Sequence, residues 1–343
     1  MLSERTRGSE RTRGSDGTRG SDGTRGSDRT RGSDGGRGGT LAALAIFAAL
    51  AFGLALGDGF TSALLVRGML LAIAAISLDL LIGQGGLVSF GHAAFVAIGA
   101  YATGIGLEEG IGNGLVLLAF ALGAAALFAF VTGVVSLRTK GVSFIMITLA
   151  FGQMAFFTFS SLSAYGGDDG LTLWNAPDLF GSAVLTNRGG LPFVVLAALL
   201  FTWWLVGRMA GSRFGRVLRA AKDNPVRVAT MGYDVSRVRL VAYVIAGMLA
   251  ALAGFLSACH AEFVSPAAAA WQNSGELIVV VVLGGMATRN GALIGAFALV
   301  LIEEALGHFV SDWRLIFGPL LVAVTLFSTG GLVGAWNRVR GLR

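Results

Sequence analysis

The sequence predicts an all-α fold: a polytopic α-helical membrane protein of about ten transmembrane helices, some broken or re-entrant, with both termini cytoplasmic. Three observations predict it. Of 343 residues, 54% are hydrophobic and only 13% are charged, against roughly 25% charged in soluble domains. Apolar runs near the ~20 residues a bilayer crossing needs recur from residue 41 onward. Basic residues gather in alternate connections between those runs, as the positive-inside rule requires. A chain this apolar cannot cover itself with polar groups in water, so the soluble-enzyme class is excluded.

Residues 1–40 come first and differ from the rest. Five hexapeptides, RTRGSE, RTRGSD, GTRGSD, GTRGSD and RTRGSD, fill residues 5–34, and a decayed copy, GGRGGT, follows. No apolar residue lies between Leu2 and Leu41, so nothing here buries a core to offset its ordering entropy. The segment reads as a disordered cytoplasmic tail, or as the product of a mis-assigned start codon. Its interleaved acids leave only a weak attraction for anionic lipid.

The transmembrane body spans residues 41–337. Its candidate crossings are 41–57, 60–82, 85–107, 114–137, 141–162, 190–207, 238–259, 268–287, 290–309 and 313–335. Gly is about twice as frequent here as in soluble proteins, which suits close helix approach in lipid. With residues 1–40 inside, ten crossings put Arg138, Lys140, the loop 208–239, Arg289 and the C-terminus 338–343 inside. Asp58, Glu108, Glu109, Asp168, Asp169, Asp178, Glu262 and Asp312 then face outward, with Arg188 opposing them. Segments 85–107 and 268–287 are the weakest crossings. They are rich in Gly or polar residues and are expected to break or re-enter where protein or a water-filled cavity surrounds them.

Several chemistries are missing from the sequence. Neither lysine follows a glycine, so there is no Walker A loop, and no Gly-x-Ser-x-Gly elbow exists. One cysteine, Cys259, and three dispersed histidines give no disulfide framework and no metal motif. No cofactor is expected, and any ATP hydrolysis must come from another subunit. The net charge of +6 follows from membrane topology and does not imply a nucleic-acid partner.

The loop 208–239 carries the most information. Arg213, Arg216, Arg219 and Lys222 recur every third residue. Phe214, Val217, Leu218 and Ala221 follow the i, i+3, i+4, i+7 spacing of one helical face. This predicts a short amphipathic helix on the inner membrane surface, with Ser212 as N-cap. Asp223-Asn224-Pro225 ends it, since the residue before proline avoids the helical region. Asn224 then caps a second short helix that starts at Pro225 and stops at Gly232. Two readings remain open on these features: a rigid peg for a motor subunit, or an anchor that obeys charge asymmetry.

The stretch FGRVLRAAKDNPVRVATMGYDVSRVRLVAYVIAGMLAALAGFL (214–256) resembles the LivM-type permeases of bacterial branched-chain amino acid ABC importers. LDLLIGQGGLVSFGHAAFVAIGAYAT (78–103), LRTKGVSFIMITLAFGQMAFF (137–157) and VVVVLGGMATRNGALIGAFALVLIEE (279–304) agree in the same order. The resemblance covers about residues 60–335. It implies an inner-membrane heterodimer with a second, homologous permease, two ATP-binding subunits inside and a solute-binding protein outside. It also implies that Gly215, Arg216, Arg219, Ala220, Asp223, Asn224 and Gly232 form the coupling loop that seats in the ATPase. Arg227-Val228 and Pro225 depart from the family pattern, and the hexapeptide tail is no family feature. Urea or short amides remain alternative solutes.

Polar groups in spans need a reason, because a charge at the bilayer centre costs roughly 2.5–3.5 kcal/mol. Gly83-Gln84-Gly85-Gly86, Ser89 and His92 bring exposed backbone and hydrogen-bonding groups into one stretch. Gln84, Ser89, His92 and the mid-span Gln153 are therefore candidates for lining a translocation path, with helix packing as the alternative. Asp79 lies near an inner helix end, Arg289 in a tight inner turn, and Glu303 and Glu304 at an outer headgroup level. Glu276 is expected to be buried. A self-sufficient secondary transporter, resting on Glu276, Asp79 and the 83–92 break, is the runner-up.

Overall fold

The computed structural model describes residues 37–174, 177–178, 185, 190–309, 331–332 and 334. The repeat tail before residue 37, nearly all of the predicted span 313–335, and Arg188, Asp312 and 338–343 lie outside these. The first helix, α1 (Arg37–Leu56), starts four residues before the predicted span. Its first turn runs back through Gly38-Gly39, because the apolar run propagates helix one turn beyond itself. α2 (Gly59–Asp79) continues as a π-helical turn, Leu80–Gln84. Next come α3 (His92–Glu108), α4 (Gly114–Ser136), α5 (Val142–Ser161) and α6 (Leu191–Gly211). Two short helices, α7 (Arg213–Asp223) and α8 (Pro225–Thr230), precede α9 (Val235–Ala261). α10 (Trp271–Gly284) and α11 (Gly291–Phe309) follow.

Among the described residues, five helical stretches are long and apolar enough to cross a membrane: Gly59–Gln84, Gly114–Ser136, Val142–Ser161, Leu191–Gly211 and Val235–Ala261. The chain is thus a mostly helical, multi-pass membrane protein. The two segments marked as weak in the sequence are short. α3 has 17 residues and α10 has 14, about 26 and 21 Å of helix against a hydrocarbon core of about 30 Å.

α2 and α9 form the centre, and α4, α5 and α6 form the periphery. Within the hydrophobic windows, 83% of α2 and 61% of α9 are buried, against 28%, 22% and 28% of α4, α5 and α6. α3 packs on α9 at near backbone contact. A side chain at Gly99 would strike the Ala251 carbonyl, and one at Gly254 the Val96 carbonyl. Without a hydrophobic force between helices in lipid, such close packing is what holds them together.

At one end of the bundle, β1 (Leu171–Thr172) pairs antiparallel with β2 (Phe263–Val264). Asp178 exchanges backbone hydrogen bonds with Gly112 and Gly114 there. The Tyr165 hydroxyl donates to Glu109 at 2.8 Å, and that hydrogen bond raises its pKa above the usual tyrosine value. The opposite end carries α7, α8 and the turn between α10 and α11. Cys259, near the strand end of α9, is a free and buried thiol.

Candidate functional site

The α7–α8 loop is built from local chemistry that the sequence spells out. The Ser212 hydroxyl oxygen accepts from the Gly215 N–H at 3.4 Å and caps α7. Asn224 Oδ1 accepts from the Arg227 N–H at 3.0 Å and caps α8. Gly232, at φ +86°, ends the turn after α8, and Asp234 caps α9 by accepting from the Arg237 N–H. The Arg237–Asp234 ion pair beside it is exposed on both sides and adds little stability.

The seven expected coupling residues divide into two sets. Gly215 and Arg219 face the membrane helices. Gly215 lies so close to α6 that a Cβ would meet the Ala210 Cα at 2.7 Å. Arg219 is half-buried and donates through Nη1 to Gln84 Oε1 at 2.5 Å and to the Ala210 carbonyl at 2.9 Å. Arg216, Ala220 and Asp223 are exposed, Asn224 shapes the corner, and Gly232 closes the loop. Leu218 and Ala221 are fully buried beneath α7. The sequence reading missed the apolar tip: Val226 (70% exposed), Met231 (67%) and Tyr233 (51%). Apolar residues in a basic extramembrane loop were the available signal.

Gln84 belongs to a second feature, the break between α2 and α3. The π-helical turn ends at Gln84, and two residues on the chain turns at Gly86, whose φ of +65° suits glycine alone without strain. The Gly86 N–H donates to Ile82 and the Leu87 N–H to Leu81. Residues 86–91 are not helical, so the first N–H groups of α3 need partners from elsewhere. Three helices or turns supply hydroxyls. The Phe90 N–H donates to Thr148 Oγ1 of α5 at 3.2 Å, and the Ala93 N–H to Ser274 Oγ of α10 at 3.0 Å. The Gly91 N–H donates to Ser89 Oγ.

His92 sits at the start of α3 and is fully buried. The Ser77 hydroxyl gives its proton to the Ala74 carbonyl at 2.7 Å and lies 2.8 Å from His92 Nε2. With its proton on that carbonyl the hydroxyl oxygen accepts from the Nε2–H tautomer, and the roles of the pair exchange with the tautomer. Among the described residues, the buried Nδ1 has no hydrogen-bond partner. Ser89 is also fully buried and meets the Tyr243 hydroxyl together with Thr132. The fold thus buries Ser89 and His92 at the break with separate partners, Tyr243 for Ser89 and Ser77 for His92, while Gln84 points to α7. Gln153 lies half-buried on α5.

The other polar residues are distributed as follows. Asp79 is buried, and its Oδ1 accepts from the Ala287 N–H at 2.9 Å. The α10–α11 turn is tight, and its Arg289 guanidinium stacks 4.3 Å from the Trp203 ring centre. Trp203 Nε1 in turn donates to Asn290 Oδ1 at 3.0 Å. Glu303 is more than a headgroup-level carboxylate: it pairs with Arg67 at 2.7 Å. Glu276, expected to be buried, is exposed. α10 turns Ser274, Leu277, Val280 and Val281 inward, which leaves position 276 on the other side. Among the described residues, no group of three His, Cys, Asp or Glu could hold a metal ion.

The profile of the family described as "Branched-chain amino acid transport system / permease component" matches residues 60–326. The chain belongs to this family. LivM, the permease protein of the high-affinity branched-chain amino acid transport system of Escherichia coli (strain K12), is 27% identical over 77% of this chain and 68% of its own length. The probable branched-chain amino acid transport permease protein LivH of Methanocaldococcus jannaschii is 29% identical over 44% of this chain and 49% of its own. LsrC, a permease protein of the autoinducer 2 import system of Klebsiella pneumoniae, is 36% identical over 35% of each chain. No solved structure matches the chain. The family is that of ABC-transporter permeases, so the chain is a membrane-embedded transport subunit.

Proposed function

We propose that the chain forms the translocation path for branched-chain or related hydrophobic amino acids in a bacterial inner-membrane ABC importer. It crosses the membrane ten times and keeps both termini and the α7–α8 loop in the cytoplasm. A second, homologous permease completes the path, two ATP-binding subunits supply hydrolysis, and a solute-binding protein delivers the solute outside. The observation that carries this reading is the loop itself. α7 is seated on the bundle through Leu218, Ala221 and Arg219, while Val226, Met231 and Tyr233 project without cover within the chain. Exposed apolar residues at a rigid tip fit a protein partner. ATP closes the motor dimer, the tip follows, and the helices switch access from outward to inward.

Catalysis lies on the partners, and this chain needs only modest affinity for the solute. The relative from the autoinducer 2 import system shows that similar sequences occur with other solutes, and urea or short amides are the nearest alternatives. The test is purification of the tagged chain in mild detergent, followed by uptake of labelled leucine with urea and acetamide as competitors. A second permease and an ATPase pair are expected in the eluate. Arg219→Glu is expected to lower ATP-driven uptake at least tenfold without loss of membrane insertion. Recovery of the chain alone, with uptake driven by an ion gradient, would instead favour the secondary-transporter reading.

A further inference from the structure

We infer that α7 and the π-helical end of α2 form one mechanical body, a latch that delivers the loop's motion directly to the α2–α3 break. The inference rests on the coupling role proposed above and assigns Gln84, Lys222 and Asp79 as positioning residues within it.

The latch is gripped from two sides. From the loop side, Arg219 holds the Gln84 side chain at 2.5 Å and Lys222 Nζ holds the Gly83 carbonyl at 3.1 Å. The Lys222 stem lies over Gly86 so closely that a Cβ there would sit 2.8 Å from the Lys222 Cγ. Leu218 packs among Leu80, Leu81 and Leu87. The last turn of α7 is itself pinned, because Arg239 Nη2 donates to the Ala221 carbonyl at 2.8 Å. From the other side, Asp79 holds the Ala287 N–H, and Gly83 leaves only 2.8 Å between its would-be Cβ and the Ala287 backbone.

The gripped segment is where the helix can yield. A π-helical turn has a looser hydrogen-bond ladder than an α-helix and marks functional sites. Immediately beyond it lie the non-helical stretch 86–91, whose Phe90 N–H is held by the α5 hydroxyl of Thr148, and the first turn of α3, whose Ala93 N–H is held by the α10 hydroxyl of Ser274. A load on α7 therefore reaches the break through two charged side chains and a buried leucine, with no flexible linker between.

One pair of substitutions tests this. A Cβ on Gly86 would lie 3.6 Å from the Lys222 Cβ, within the range a disulfide spans. Gly86→Cys combined with Lys222→Cys is therefore expected to close on oxidation. Uptake of labelled leucine per ATP hydrolysed is measured in proteoliposomes of the assembled complex. A one-body latch requires that the oxidised pair transport as well as its reduced form or better, and cross-link to the same extent with and without ATP. A tenfold loss of uptake on oxidation, reversed by reductant, would overturn the latch, because α7 and the break would then have to separate in the cycle.

Gln84→Ala provides the second arm, free of the strain at Gly86. Its ATP hydrolysis is expected within twofold of the unaltered complex, while leucine carried per ATP falls at least fivefold. Unchanged transport per ATP would count against the latch. A residue of purely structural importance would lower hydrolysis and transport together. If the unaltered complex fails to carry leucine, the proposed solute fails, and the extent of cross-linking with and without ATP decides the latch by itself.

Discussion

Single hydroxyl groups hold the break together. The Ala93 N–H is buried at the start of α3 and its partner is Ser274 on a helix 181 residues away in sequence. Removing that oxygen leaves a buried donor unmet, at a cost of about 1–3 kcal/mol. Ser274→Ala is therefore expected to lower the thermal unfolding midpoint of the detergent-solubilised chain, and Ser274→Thr to retain most of it. An unchanged midpoint in Ser274→Ala would mean that water or a backbone shift replaces the hydroxyl. At this scale the sequence was only partly legible. GQGG and the nearby Ser89 and His92 announced a break, because glycine and polar residues inside an apolar run have few other uses. The partners Thr148 and Ser274 were invisible, since nothing local marks which of many hydroxyls faces a distant N–H. The Arg67–Glu303 pair, 236 residues apart, was illegible for the same reason.

Among the elements, the loop was read almost completely from sequence, because its signals are local. Ser212, Asn224-Pro225 and Gly232 each act within a few residues, and the structure places a cap or a left-handed turn at each. What the spacing could not give was the direction each side chain faces once α7 docks. Arg219 points inward and Arg216 outward, three residues apart on one short helix. The phase of α10 was likewise hidden, which is why Glu276 was misplaced. The apolar tip yields a separable prediction. Met231→Asp is expected to reduce the ATP-binding subunit recovered with the tagged chain at least tenfold. The unfolding midpoint of the chain should not move, because Met231 is exposed and contributes no core. Loss of both together would place Met231 in the fold rather than at an interface.

For the molecule as a whole, composition alone gave the fold class. Apolar runs long enough to span a bilayer have no place on a wetted surface, and the described helices follow the predicted runs within four residues, apart from α3, which starts seven residues after the predicted 85. Arrangement was not legible: mean hydropathy does not separate the central α2 and α9 (2.1 and 2.2) from the peripheral α4, α5 and α6 (2.5, 1.8 and 1.8). Only glycines in contact, such as Gly99 and Gly254, encode proximity, and they do so without naming a partner. The repeat tail stands apart from this body in composition. Deletion of residues 2–36 is expected to leave leucine uptake within twofold of the full chain, and a clear loss would give the repeats a function in transport.

Cys259 is the sole thiol of the chain, and it is sealed inside the bundle. The native protein is consequently silent toward membrane-impermeant maleimides, and any cysteine introduced at the surface reports alone. Sidedness becomes a direct chemical reading. Trp174→Cys, at the strand end, should be labelled in intact cells, and Tyr233→Cys, at the loop tip, only once the membrane is opened. The reverse pattern would turn the molecule over and detach the charge asymmetry of its loops from its orientation.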